Sequence, residues 1–265
     1  MVSNFAMMVR FLDKCSQEIK NNDKPELAID FEGVKLSRHG ALCLIQVCLR
    51  SDPTLVYVID VHVLGSHGMF LENKHGMSFK SLMESPQFLK IWFDPRNDVD
   101  ALWHQFGIQP TRVFDLQLAE VSDRRSHGKK ARFVYGLNRC LRSCENIRDE
   151  NGNVMPPFQY DNGFAGSIDT VAKGKFEPDH GGDYKVFQDR PLDPAILVYA
   201  AHDVRYMFAL FDYYMKRIQK QDETLVAANP KHISWLNRIM LASAQRVLWC
   251  NSKFYVMPST DAPDF

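Results

Sequence analysis

Apolar residues Phe5, Met8, Val9, Leu12 and Ile19 fall at helical spacing and predict an amphipathic helix from Asn4 to Asn21, stopped by Asn22-Asp23-Lys24-Pro25. Three short apolar runs follow, Leu27 to Gly33, Ala41 to Leu49 and Leu55 to Val61, parted by polar or proline-containing turns. Such runs on short connections predict an antiparallel meander. Phe79 to Met83 reads as a short helix and Lys90 to Phe93 as a fourth strand. A helix opens at Asn97 or Asp98 and stops at Gly107. Val113 to Asp115 is a fifth strand, and Leu116 to Val121 a helix. Strand and helix now alternate, which implies parallel additions to the sheet.

Ser122 to Asp189 is the least regular region. Gly136 to Cys144 reads as a helix, but Asn151 to Gly182 is rich in Gly, Asn, Asp and Pro and predicts a long surface loop. Pro191 to Ala201 and Asp203 to Ile218 read as a helix pair or one bent helix. Ile233, Leu236, Ile239, Met240 and Val247 mark a last amphipathic helix, over about 232–249, and the tail from Pro258 to Phe265 is expected to be unstructured. With no internal repeat and no second core, the chain is expected to be a single domain. Its core would run over about 24–217, with a loop insertion over about 122–189.

Bulk properties narrow the options without choosing among them. The 265 residues carry zero formal net charge, so a nucleic-acid-binding surface, if present, is local. No apolar stretch approaches the ~18 residues of a membrane span. The first 21 residues are interrupted by Arg10, Asp13, Lys14 and Glu18 and lack a signal-peptide core. Six scattered cysteines without framework spacing are expected to be reduced, which favours a cytoplasmic or nuclear setting.

Candidate chemistry starts with Asp30 and Glu32. Alternation along a strand points both carboxylates to one face, with Phe31 on the other. Like charges at that distance raise each other's pKa unless a cation neutralises them. Tyr199 and Asp203 lie four residues apart and share a helix face, and the small neighbours Ala200 and Ala201 place Asp203 near the core. Asp98 sits at a helix start. Hard oxygen donors of this kind suit Mg²⁺ or Mn²⁺.

These residues resemble the ribonuclease D-type 3'-5' exonucleases of the DEDD superfamily, in the tyrosine-bearing branch. Asp30 and Glu32 match the first family motif. Asp98, eight residues before Phe106-Gly107, matches the second and is followed by Phe114-Asp115-Leu116-Gln117-Leu118-Ala119. Tyr199 and Asp203 match the third, preceded by Arg190-Pro191-Leu192. The likeness covers roughly Lys24 to Arg217, and Arg96-Asn97-Asp98 brings it nearest to the eukaryotic 3'-5' exonuclease-domain proteins. It implies a ribonuclease H-like α/β fold: a mixed five-stranded sheet, three strands antiparallel and two more parallel to the first, with helices on both faces. It also implies two divalent cations. Asp30 would bridge both; Glu32 and Asp203 would hold the one carrying the nucleophilic water; Asp98 would support the leaving-group cation; Tyr199 would orient the water, with Glu32 assisting. The substrate would be a nucleic acid with a 3' end, RNA rather than DNA, releasing nucleoside 5'-monophosphates. Some members of that subgroup have lost acids and act by binding RNA, so a catalytically silent adaptor is the alternative. A DNA proofreading role shares the chemistry.

Weaker signals surround this set. Arg124, Arg125, Lys129, Lys130 and Arg132 form a basic cluster that is a candidate phosphate contact, its plain alternative a solvated charge run. His202 reads as a neighbour of the third motif rather than a ligand, and His104 as a helix-surface residue. Cys140 and Cys144 share a helix face but lack companions at zinc spacing. Asp94-Pro95 departs from the small or histidine-containing step common before the second motif.

Overall fold

The structure is a computed structural model describing residues 1–144, 162–229, 231, 233–256 and 259–264. Its sheet is organised by β1 (Glu26–Val34), which pairs antiparallel with β2 (Ala41–Leu49) on one side. On the other side it pairs in parallel with β4 (Leu89–Trp92). β3 (Asp52–Asp60) and β5 (Val113–Asp115) complete the order β3-β2-β1-β4-β5. This is the mixed five-stranded sheet expected, with three antiparallel strands and two parallel additions. A bulge falls between Glu32 and Gly33. A Cβ at Gly33 would stand 2.0 Å from the Ala41 carbonyl oxygen, so only glycine lets the strands close there.

The sheet separates two cores because strand residues alternate. Leu27, Ile29 and Phe31 face α1 (Phe5–Asn21), α2 (Val61–Phe70), α3 (Phe79–Glu84) and α4 (Arg96–Phe106). Ala28 faces α5 (Leu116–Ser126), α6 (Leu137–Cys144) and α9 (Met207–Ala228). Leu44 and Val58 share that second side with α8 (Pro194–Arg205). α10 (Trp235–Cys250) packs across α4, α5 and β5. Local rules set the helix ends. Asn4 accepts from the Met7 N–H at 2.9 Å, Asp115 from the Gln117 N–H at 2.9 Å, and Gly107 takes the left-handed φ of 64° that closes α4.

Three expectations are corrected. The run ending at Val61 is strand only to Asp60, whose carboxylate accepts from the Val63 N–H and starts α2. Part of the expected long loop is α7 (Asn162–Phe176), because Ala172 and Phe176, one turn apart, are buried against α8 and the 184–187 turn. The composition hid it: Gly163, Gly166 and Gly174 dilute the apolar pattern. The stretch 145–161 lies outside the described residues. Within the tail, residues 259–264 are held by backbone pairing, Val134 N–H to Thr260 O at 3.0 Å and Ala262 N–H to Arg132 O at 2.8 Å. Arg96 and Arg125 grip the carbonyls of Ser259 and Pro263. No helix among the described residues is long and apolar enough to cross a membrane.

Candidate active site

β1 carries Asp30 and Glu32 to the end of the strand where α8 crosses the sheet, and α8 brings Asp203 to meet them. One carboxylate oxygen from each lies within 4.8 Å of the others. Among the described residues this is the one group of three or more such side chains placed to hold a metal. Asp98, in the first turn of α4, joins from the neighbouring strand's side: its carboxyl meets that of Asp30, and both take a hydrogen bond from the Phe31 backbone. Asp98 is further held by the Trp92 indole, whose Nε1–H donates to Oδ2 at 2.7 Å. Tyr199 lies one turn before Asp203, its ring packed on Phe176 at 5.1 Å between centroids.

The electrostatics are unusual for this chain. Burial and then the charge of Asp98 push Asp30 well above the carboxylate range. Burial, then Asp30, Asp203 and Asp98, do the same to Glu32. Burial pushes Asp98 up to about 8, against the opposing pull of the Trp92 donor. No basic side chain stands among the dominant influences on these three. Four other buried acids are each matched to an arginine: Asp60 to Arg190, Asp100 to Arg38, Asp115 to Arg246, Glu120 to Arg124. Burying carboxylates together without a cation is costly, whereas hard oxygen donors at this separation suit a divalent ion. The residues present therefore fit Mg²⁺ or Mn²⁺.

The basic cluster is not brought into this group. Arg124 and Arg125 sit at the far end of α5 from Asp115 and are engaged inside the molecule. Arg124 binds both Glu120 oxygens at 2.6 Å and lies 4.0 Å from the Tyr135 ring centre, while Arg125 donates to Pro263 and Ala131 carbonyls. Lys129, Lys130 and Arg132 are exposed. His202 is buried against Tyr206, and His104 is exposed. Cys140 and Cys144 are buried, unbridged thiols, each pushed up to about 12 by burial. Asp94 clasps Arg96 and stands near enough to raise Asp98.

Sequence reasoning missed Trp92 and the Arg190–Asp60 clamp. Trp92 read as one more core residue of a strand. Arg190 Nε and Nη2 each reach an Asp60 oxygen at 2.6 Å, fixing the entry to α8 across 130 residues of chain, and no local pattern encodes that pairing.

Residues 9–138 match a family described as 3'-5' exonuclease. The piRNA biogenesis protein EXD1 of Mus musculus is 37% identical over 95 residues, 36% of this chain and 15% of that protein. The Xenopus laevis protein of the same name is 28% identical over 186 residues, 69% of this chain and 36% of its own. The chain thus spans about a third or less of these curated relatives. Among solved structures, Trypanosoma brucei RNase D in complex with RNA U12 superposes with a TM-score of 0.64 at 21% identity, over 99% of this chain and 74% of that one. Brucella melitensis NrnC with bound Mg²⁺ gives 0.53 at 19%, over 91% and 94%. With the sheet order and the acidic group, these likenesses make residues 9–138 similar to a 3'-5' exonuclease domain, and the fold similar to that of the ribonuclease D-like, DEDD type.

Proposed function

We propose that this chain hydrolyses single-stranded RNA from the 3' end, releasing nucleoside 5'-monophosphates, with two divalent cations, Mg²⁺ or Mn²⁺, held by Asp30, Glu32, Asp98 and Asp203. The observation that carries the reading is the meeting of Asp30, Glu32 and Asp203 within 4.8 Å, whereas the buried acids Asp60, Asp100 and Asp115 are each paired with an arginine. Bound there, the cations supply the positive charge that makes water a nucleophile at neutral pH and steadies the departing oxygen. The protein's share is to hold and orient. Asp30 faces both neighbours, Asp98 and Glu32, and would help hold both cations. Tyr199, one turn before Asp203 on α8, would hydrogen-bond the attacking water, with Glu32 accepting its proton. Water oxygen bonds to phosphorus, the P–O3' bond breaks with its electron pair on O3', and that oxygen takes a proton from solvent, so the shortened strand leaves with a free 3'-hydroxyl.

RNA is favoured over DNA because the relatives' names, piRNA biogenesis protein and ribonuclease D, and the RNA-bound T. brucei structure concern RNA. Lys129, Lys130 and Arg132 remain candidates for outlying phosphate contacts. Chromatography of products from RNA incubated with Mn²⁺ tests the proposal. Nucleoside 5'-monophosphates should accumulate with wild type and not with Asp30→Asn or with EDTA. Intact RNA that stays bound to the wild-type protein under every metal would make the chain an adaptor.

A further inference from the structure

Gln46 sits on β2 directly opposite Asp30 on β1 and opposite Val58 on β3. Residues paired across a sheet share a face, so its side chain belongs to the same face as Asp30, under α8. Its neighbours along that face of β2 are Leu44 and Cys48, both wholly buried and apolar. Gln46 is itself wholly buried. Neither its Nε2 nor its Oε1 finds a hydrogen-bond partner among the described residues.

An amide has two donor hydrogens and an acceptor oxygen, and leaving them unpaired in an apolar layer is expensive. Buried polar groups in folded proteins are paired as a rule, and the exceptions tend to mark a group awaiting something. A leucine or methionine would fill the space between Leu44 and Cys48 without that cost. The polar group nearest in register is the Asp30 carboxylate, the acid that faces both other partners in the group. Carboxylates that hold cations are generally themselves hydrogen-bonded from behind, which fixes which oxygen turns toward the ion.

Resting on the reading above, we propose that Gln46 is a positioning residue for Asp30. Its amide donates through one ordered water to the Asp30 carboxylate, and so holds that carboxylate in the orientation in which it would take a cation. Gln46 touches neither substrate nor cation. It acts through Asp30.

The test is Gln46→Met, which keeps length and burial and removes the amide. Thermal unfolding without metal should give a Tm equal to or above wild type, since an unpaired polar group has gone. Mn²⁺ titration by calorimetry should show affinity weakened roughly 10- to 100-fold. Steady-state kinetics on single-stranded RNA should show kcat reduced at least about tenfold with KM within about twofold. Mn²⁺ affinity within twofold of wild type in a folded variant overturns the proposal and leaves Gln46 a core residue. Should the methionine variant not fold, Gln46→Asn, which withdraws the amide by one methylene, is read the same way. Calorimetry also separates this idea from the nuclease reading. Wild type that binds Mn²⁺ but cuts no RNA defeats the nuclease and leaves Gln46 to be decided by the isotherms. Wild type that binds no Mn²⁺ defeats both.

Discussion

Trp92 Nε1–H donates to Asp98 Oδ2 at 2.7 Å, while the Trp92 ring lies edge-on to Phe31, 5.0 Å between centroids. One side chain thus ties the second acidic element to the core beneath the first. Phe31 is the residue between Asp30 and Glu32, so its packing on Trp92 sets where those two carboxylates emerge.

Trp92→Phe separates the two roles. The ring stays to pack on Phe31, but Asp98 loses the donor that holds its pKa down. Stability should fall by about 1 kcal/mol, the ordinary net loss for a hydrogen bond. Mn²⁺ affinity at pH 7 should weaken by about tenfold, measured by calorimetry, and recover in part at pH 9, where the more basic Asp98 is again ionised.

Stability should depend on pH and metal together. Asp30, Glu32 and Asp98 have raised values in the folded chain, so it holds protons that the unfolded chain has released. Without cations, stability from these groups is greatest below pH ~4 and is lost as pH climbs toward about 8, the value for Asp98. Scanning calorimetry should therefore show a Tm gain from Mg²⁺ that grows from pH 5.5 to pH 8.5. Asp98→Asn should raise the metal-free Tm at pH 8.5 and abolish most of the gain.

Lys90 titrates in the opposite sense. It is wholly buried on β4, its ammonium bound to the Ser85 carbonyl, and burial followed by the nearby Arg112 charge lowers its pKa to about 7. The folded chain must release this proton while the unfolded one keeps it to about 10.5, so the cost is full below pH 7 and fades above it. Lys90→Met should stabilise the protein by about 1–3 kcal/mol at pH 6 and by less at pH 9, read from denaturant midpoints. An equal effect at both pH values would contradict the burial argument.

Arg190 anchors the entry to α8. Asp60 is wholly buried and has both oxygens on the guanidinium. Arg190→Ala strands that charge, so urea unfolding should show a loss of about 3–5 kcal/mol. Because α8 carries Tyr199 and Asp203, kcat should fall by more than tenfold under conditions where the variant is still folded.

How much of this was legible depends on whether the cause is local. The strand alternation that puts Asp30 and Glu32 on one face, the four-residue step from Tyr199 to Asp203, and the glycine stop of α4 are short-range rules, and the structure follows them. The tail failed because its order comes from Arg96, Arg125 and the 132–134 backbone, all far away in sequence. α7 failed because three glycines weaken a helix that tertiary burial of Ala172 and Phe176 supports. The basic cluster shows a different limit: charge composition does not reveal that Arg124 is spent on Glu120 and Tyr135.

The most direct test of the central claim is a time course on 5'-labelled single-stranded RNA with Mg²⁺, wild type beside Asp30→Asn, each checked for folding by circular dichroism. The expected result is a ladder shortening one nucleotide at a time from the 3' end with wild type, slowed at least about a thousandfold by the substitution. Full-length RNA persisting with folded wild type, in Mg²⁺ and in Mn²⁺, or an equal ladder from Asp30→Asn, would contradict it.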